Sequence, residues 1–230
     1  MQNAIDGATE NAGATPLADD TSCGAKSRPP RYEIDAQATR ERAVSFLNAI
    51  GIDTWYEAGA SGFTDGCRID RGRLAADPGC RISTLLHESG HLATCPGIFR
   101  HLMDGNLYRG HREMLRIVGD ANLHPDDPLY RAVIQCSDPE ATAWAWSAGM
   151  ELKLPPEEII RDDEYDGDGE SVRLALRVGA YYGVHGLAHA GFCAIRPRTG
   201  AVVWPRLNFW TQEVGLTPVH GLHASSMQAT

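Results

Sequence analysis

The first half of the chain carries two stretches in which apolar residues recur every three or four positions. One covers residues 35–50, where Phe46 and Leu47 continue the apolar face, and this spacing is typical of an amphipathic α-helix. Gly51 ends it, because glycine readily adopts the left-handed backbone that closes many helices. The second stretch, Ile82–Thr94, predicts a helix that Pro96-Gly97 stops.

Between these two helices the pattern changes to short apolar runs separated by turn residues. Thr54–Tyr56 predicts one short strand. Residues 67–75 predict short strands or a hairpin, with Ile69 and Leu74 on either side of Arg71-Gly72. A few strands therefore precede the second helix.

The second half of the chain predicts further helices. Ser137-Asp138-Pro139-Glu140 has the composition of a helix start, with a capping hydroxyl, early acids and an early proline. Residues 141–152 continue that helix. The remaining segments are a helix over 112–118, a loop over 124–128, a short helix after Pro155-Pro156, an acidic loop over 162–170, a helix over 171–182 and a Gly-rich apolar segment over 183–193.

The two ends of the chain differ in composition from the middle. Residues 1–32 are rich in small and polar residues and end at Arg28-Pro29-Pro30, which predicts a flexible N-terminal tail. Residues 216–230 fade into Ser, Gln, Ala and Thr and predict a C-terminal tail. With no internal repeat visible, we predict a single domain over residues 33–215.

Composition and charge exclude several classes of protein. A chain of 230 residues that is 43% hydrophobic and 22% charged is typical of a soluble globular protein. No apolar run approaches the ~18 residues of a membrane span, and the N-terminus lacks the pattern of a Sec signal. The net charge of −9 disfavours direct nucleic-acid binding. The six cysteines form no CxxC pair and are interpreted as free thiols.

One motif within the second helix indicates chemistry. His87-Glu88-Ser89-Gly90-His91 sets two histidines four residues apart, a spacing of roughly 40° and about 6 Å on a helix, so both rings can face one metal ion. Glu88 is rotated by about 100° from His87 and can take a proton from metal-bound water instead. Chance placement predicts roughly 0.02 such matches in this composition. The alternative is a half-exposed helix whose polar groups make only surface contacts.

A hydrolytic zinc site usually takes three protein ligands and leaves the fourth position to water. Glu140 is the first candidate for the third ligand, because the alanines that follow it permit close approach to the histidine-bearing helix. Ser137-x-x-Glu140 also matches a capping box, in which the glutamate would bond back to the backbone. The other candidates, in order, are Asp138 and then His101, His111 and His124.

The run Leu85-Leu86-His87-Glu88-Ser89-Gly90-His91-Leu92, followed later by Asp138-Pro139-Glu140-Ala141-Thr142-Ala143-Trp144-Ala145, resembles the ImmA/IrrE-type zinc metallopeptidases of bacteria and their mobile elements. The resemblance also covers the preceding helix and strands, but beyond Leu154 no motif of the family is present. It implies a small zincin-like α+β fold, mainly helical with a short few-stranded sheet. It also implies that His87, His91 and Glu140 hold Zn²⁺ and that Glu88 is the catalytic base.

We therefore expect a cytoplasmic zinc-dependent endopeptidase that hydrolyses a peptide bond in a protein substrate by metal-activated water. The resemblance suggests a helix-turn-helix transcriptional repressor as that substrate. One alternative is a non-catalytic zinc-binding regulator on the same fold, although Glu88 favours the enzyme because a binding module needs no base beside the metal. A second alternative is a secreted effector protease that uses its first 32 residues as a delivery signal.

A peptidase also needs a donor that stabilises the developing oxyanion opposite the zinc. The sequence offers four candidates, all in or beside the Gly-rich apolar segment: Tyr181, Tyr182, His185 and His189. Each is a hypothesis that depends on whether this segment lines the same cleft as the histidines.

Overall fold

The computed structural model describes residues 31–215, with side chains described from residue 36. The predicted tails lie outside these residues, except that 31 and 32 begin the first helix. None of the helices within 31–215 has the length and apolar character needed to cross a bilayer. In chain order the elements are α1 (Arg31–Ala49), β1 (Thr54–Tyr56), β2 (Cys67–Asp70), β3 (Arg73–Ala76), α2 (Ile82–Thr94), α3 (Leu107–Asp120), α4 (Pro128–Ile134), α5 (Asp138–Glu151), α6 (Pro156–Ile159), α7 (Gly169–Arg177) and α8 (Tyr182–His189), with 3-10 turns at Gly97–Leu102 and Tyr165–Gly167.

The sheet is small and mixed, with strand order β1-β3-β2. β2 and β3 form an antiparallel hairpin in which Ile69 pairs with Leu74, and β1 runs parallel to β3. Arg71 and Gly72 both have positive φ, which reverses the chain within two residues. The predicted hairpin and the α+β class, mainly helical with a few-stranded sheet, are confirmed.

α5 forms the centre of the domain and packs between α2 and α8. Most of its residues are buried, including Trp144, whose indole nitrogen donates to the carbonyl of Trp210 at 2.8 Å. A Cβ on Gly90 of α2 would lie 2.4 Å from the Ala141 carbonyl oxygen. The backbones of α2 and α5 therefore approach as closely as they do because residue 90 has no side chain.

The last helices differ most from the sequence prediction. The helix predicted over 171–182 is divided, because Gly179 has a φ of +70° and ends α7 before α8 begins. The Gly-rich segment that follows is helical as α8, despite the low helix propensity of glycine. A Cβ on Gly183 would lie 1.8 Å from the Pro139 carbonyl oxygen. The close packing of α8 against α5 thus requires glycine at position 183, although glycine has a low helix propensity.

The middle of the chain is also more helical than predicted. α3 begins five residues before the predicted 112–118 and ends two residues after it. α4 begins at Pro128, inside the range predicted as a loop, with the carboxylate of Asp127 accepting from the Leu129 amide at 2.8 Å. Proline at the first helical position and a capping aspartate are both favourable helix starts. α4 was missed from the sequence because the helix has only seven residues, too few to show a clear apolar periodicity.

Candidate metal centre

The two histidines of the motif lie one turn apart on α2 and face the same side. Their ring centroids are 5.0 Å apart and their planes are nearly perpendicular. The Nε2 atoms of both rings point to one oxygen, Oδ1 of Asp138, at 3.8 Å from His87 and 3.1 Å from His91. The predicted convergence of the two imidazoles is therefore present in the structure.

Asp138 is the first residue of α5 and lies where that helix starts beside α2. Its position at the helix N-terminus favours an ionised carboxylate. The hydrogen bond with His91 lowers the pKa of Asp138, and the Tyr108 hydroxyl adds a smaller contribution in the same direction. The carboxylate is therefore available as an anionic donor at neutral pH.

His87, His91 and Asp138 are the described residues that could together hold a metal ion, with their donor atoms all within 4.8 Å of one another. A four-coordinate ion with bonds of about 2.0 to 2.1 Å holds its ligands about 3.3 Å apart, so the two histidine–aspartate distances bracket the required spacing. Burial lowers the pKa of His87 to about 4, with the nearby His91 adding to the effect. This imidazole is therefore neutral at pH 7, which is the form that binds a metal.

Glu140, the first candidate from the sequence, is not part of this group. Its carboxylate oxygen Oε2 accepts hydrogen bonds from the Ser137 hydroxyl at 2.6 Å and from the Ser137 amide at 3.2 Å. The residue is buried, and a Cβ on Gly186 of α8 would lie 1.9 Å from its other oxygen. Glu140 thus makes the capping contact that the Ser137-x-x-Glu140 pattern allows, and Asp138, the second candidate, takes the place beside the histidines.

Glu88 follows His87 on α2, but its side chain points to a different neighbour. Its carboxylate is buried and accepts a hydrogen bond from the Thr64 hydroxyl at 2.8 Å. Burial raises the pKa of Glu88, while His91 and the Thr64 hydroxyl partly oppose that rise. A carboxylate that is fixed by a hydrogen bond and is more basic than usual is suited to accept and return a proton.

The ring of His87 has a second contact on its other nitrogen. The Thr142 hydroxyl lies 3.3 Å from Nδ1 of His87 and 2.8 Å from the hydroxyl of Tyr165. A partner on Nδ1 fixes the ring orientation and leaves Nε2 free to face Asp138. Thr142 is one turn along α5 from Asp138, so a single helix supplies both the third donor and this contact.

These side chains line one cavity of about 1070 Å³. Its walls come from the segment between β1 and β2, from β2, α2 and α3, from the start of α5, and from residues 159–165 and Tyr181. The polar residues on its walls include His87, Glu88, His91 and Asp138, together with Thr64, Tyr108, Tyr165 and Tyr181. The histidines and the candidate base therefore share a space large enough for a peptide segment.

The remaining candidates from the sequence lie in different places. Tyr181 lines the cavity, whereas Tyr182, His185 and His189 are exposed and do not. His111 also lines it, but its Nε2 lies 2.8 Å from the carbonyl oxygen of Val133. Of the alternative histidine ligands, His101 and His124 are exposed, and none of the three belongs to the donor group.

Three cavity residues were missed from the sequence. Thr142 could have been found, because residues four apart on a helix share a face and Asp138 begins that helix. Thr64 and Tyr165 lie in irregular segments, and only tertiary packing brings them to α2 and α5. No local pattern indicates either residue.

Comparisons of the chain with protein-family models, with curated proteins and with solved structures found no match. The resemblance to the ImmA/IrrE-type metallopeptidases therefore depends on the motif residues alone.

Proposed function

We propose that this protein is a zinc-dependent endopeptidase that hydrolyses a peptide bond in a protein substrate. The observation that carries the proposal is the shared cavity, in which His87, His91 and Asp138 converge while the buried carboxylate of Glu88 lies on the same wall. A site that only stored a metal would need no buried acid beside its ligands. The non-catalytic regulator on the same fold is the alternative outcome of the test below.

Zinc is the metal that suits this donor set. Two neutral imidazoles and one carboxylate are typical ligands of catalytic zinc, which keeps one position open. When bound, zinc would polarise a carbonyl group and lower the pKa of water toward 7. We assign the third ligand to Asp138 because its Oδ1 is the carboxylate oxygen nearest both rings.

Glu88 carries the proton transfers in this proposal. Its carboxylate accepts a proton from the attacking water and later donates it to the leaving amine, as general base and then general acid. The Thr64 hydroxyl holds one carboxylate oxygen, which leaves the other oriented for this exchange. Tyr181 and Tyr165 both lie on the cavity wall, and we take their hydroxyl groups as the candidate donors to the oxyanion.

The size of the cavity is compatible with a peptide substrate. At about 1070 Å³ it lies at the upper end of the volumes of small-molecule sites and has room for a short peptide segment. A helix-turn-helix repressor is the substrate that the motif resemblance suggests, and such a repressor would place the enzyme in the cytoplasm. This assignment rests on analogy and is separable from the peptidase proposal.

The deciding experiment compares the zinc-loaded protein with its Glu88→Gln variant on a pool of peptides derived from a whole proteome. Mass spectrometry counts the new peptide ends, and elemental analysis counts the zinc. We expect one zinc per chain in both proteins, with cleavage reduced about 10²- to 10⁴-fold in the variant. Glu157→Gln, which removes an exposed carboxylate on α6, is the matched control and should cleave like the unmodified chain.

Two outcomes would overturn the proposal. Cleavage by Glu88→Gln at the unmodified rate would reject Glu88 as the base. Bound zinc without cleavage in the unmodified chain, together with a stoichiometric complex with a helix-turn-helix protein, would favour the regulator instead.

A further inference from the structure

Two cysteine sulfurs are in contact beside the cavity. The Sγ atoms of Cys67 and Cys80 lie 3.2 Å apart, and both residues are buried. Cys67 is the first residue of β2 and forms part of the cavity wall. Cys80 lies two residues before α2, the helix that carries both imidazoles. The pair therefore joins the strand side of the cavity to the start of the motif helix.

The backbone holds both cysteines in this position. The Asp77 amide donates to the Gly66 carbonyl at 2.8 Å, and the Cys80 amide donates to the Asp77 carbonyl at 2.9 Å. Gly66 has a φ of +89°, and a Cβ there would lie 3.3 Å from Cys80. The turn that carries Cys80 thus lies against the residue that precedes Cys67. A disulfide needs the sulfurs to approach to about 2.0 Å, which is a small movement from this geometry.

Two of the other cysteines in the described part of the chain, Cys95 and Cys136, have different sulfur contacts. Cys95 Sγ lies 3.6 Å from the sulfur of Met114, and Cys136 Sγ donates to the carbonyl of Val133 at 3.1 Å. Both sulfurs are buried in the helical core. Contact between two thiols, with one of them on the wall of a cavity, distinguishes Cys67 and Cys80 from these residues.

We propose that Cys67 and Cys80 form a reversible disulfide bond when the protein meets a peroxide. One thiolate attacks a peroxide oxygen and becomes a sulfenic acid, and the hydroxide that leaves takes up a proton to give water. The second thiol then attacks the sulfenic sulfur, the S–S bond forms, and a second water leaves. Two electrons pass from the sulfurs to the peroxide, and an external dithiol returns them.

The bond would link β2 covalently to the segment before α2. Closing the loop between residues 67 and 80 restricts the unfolded chain, so the oxidised protein should be more stable than the reduced protein. For a domain of this size we expect the thermal midpoint to rise by about 5 to 10 °C on oxidation and to fall back on reduction.

The test uses the full chain, with no metal or substrate needed. Protein treated with hydrogen peroxide is alkylated and digested with trypsin, which cuts after arginine and lysine. Residues 43–68 and 74–81 are then separate peptides unless a disulfide joins them. We expect the joined peptide, about 2 Da lighter than the sum of the two thiol peptides. Dithiothreitol should abolish it and reverse the rise of the thermal midpoint.

Cysteine variants provide the controls. Cys67→Ser and Cys80→Ser should each remove the joined peptide and the thermal shift, whereas Cys193→Ser should keep both. Circular dichroism confirms that each variant is folded before oxidation. A folded, peroxide-treated protein in which Cys67 is alkylated, over-oxidised or joined to another cysteine would overturn the proposal. Because no readout depends on cleavage, the result is independent of the proposed peptidase activity.

Discussion

Oδ1 of Asp138 lies 3.1 Å from Nε2 of His91, so the first residue of α5 meets the last histidine of the motif on α2. Two residues further along the chain, Glu140 directs its carboxylate to Ser137 instead. Two acids within one helical turn therefore have different partners. Metal affinity should distinguish the two acids, because Asp138 lies where it could hold an ion together with the imidazoles, whereas Glu140 closes the end of the helix.

Replacing the two acids should separate these roles. We expect Asp138→Asn to weaken zinc binding by at least about 100-fold, because the asparagine has no anionic oxygen to offer the ion. Glu140→Gln should bind zinc within about threefold of the unmodified chain, since glutamine still completes a capping box. Competition with a coloured chelator measures both affinities. If Glu140→Gln weakened zinc binding more than Asp138→Asn did, Glu140 would be the third ligand instead.

Glu140→Ala should reduce stability without removing the metal site. The substitution leaves the Ser137 hydroxyl and amide without their acceptor, and we expect a loss of about 1 to 3 kcal/mol in the free energy of unfolding. Urea denaturation of the metal-free protein measures it. Glu140→Gln is the control, and an equal loss in both variants would show that the cap contributes little.

Gly90→Ala should destabilise the protein because the new methyl group would lie 2.4 Å from the carbonyl oxygen of Ala141. Relieving this clash separates α2 from α5, at a cost of about 2 kcal/mol or more. Gly119→Ala on α3 meets nothing within 4 Å, so it should be neutral or stabilise by up to about 1 kcal/mol. Urea unfolding of both variants measures their free energies of unfolding. Similar values for Gly90→Ala and Gly119→Ala would contradict this prediction.

Thr64→Val should lower the rate of the chemical step. Valine has nearly the same shape but cannot donate to the carboxylate of Glu88, so this proposed base would lose its fixed orientation. We expect kcat to fall about tenfold with KM nearly unchanged. Thr64→Ser keeps the hydroxyl and should retain most of the activity. Equal losses in both variants would assign the effect to packing.

Asp77 should make stability depend on pH in the acid range. The amides of Gly59 and Gly79 donate to its carboxylate at 2.6 and 2.7 Å, and these bonds hold its pKa below the ordinary value of 3.8. The ionised form is therefore favoured by folding, and the stabilisation is complete above the unfolded pKa and is lost as the pH falls through the folded one.

The Asp77→Ala variant tests this directly. Above about pH 5 it should unfold at a lower urea concentration than the unmodified chain, and the difference should narrow as the pH decreases below 3.8. Urea titrations between about pH 2.5 and 7 measure the two midpoints. If the difference between the two urea midpoints stayed constant across this pH range, the charge of the Asp77 carboxylate would not contribute to stability.

The motif helix was predictable because its determinants are local. Apolar spacing, the stop at Pro96-Gly97 and the four-residue interval between His87 and His91 are all properties of one short segment. The hairpin at Arg71-Gly72 is similar, since the residues of the turn define it. In both cases the residues of a short segment determine the backbone conformation of that same segment.

The third donor could not be chosen in the same way. Whether Asp138 or Glu140 faces the imidazoles depends on how the first turn of α5 is rotated against α2, which long-range packing decides. The helix α8 was missed for a related reason. Gly183 disfavours a helix in isolation and permits one here because the backbone of α5 lies directly against it.

The hydroxyl of Thr142 contacts both the Nδ1 side of His87 and the phenol of Tyr165. One oxygen atom thus connects a ring of the candidate metal site to the 3-10 turn at Tyr165–Gly167, where Tyr165 and Asp166 both have left-handed backbone angles. A binding protein that straightened this turn would withdraw the phenol and alter the hydrogen bonding of that ring without touching the histidine. The turn at Tyr165 is therefore a place where contact at the surface would change the candidate metal site from a distance.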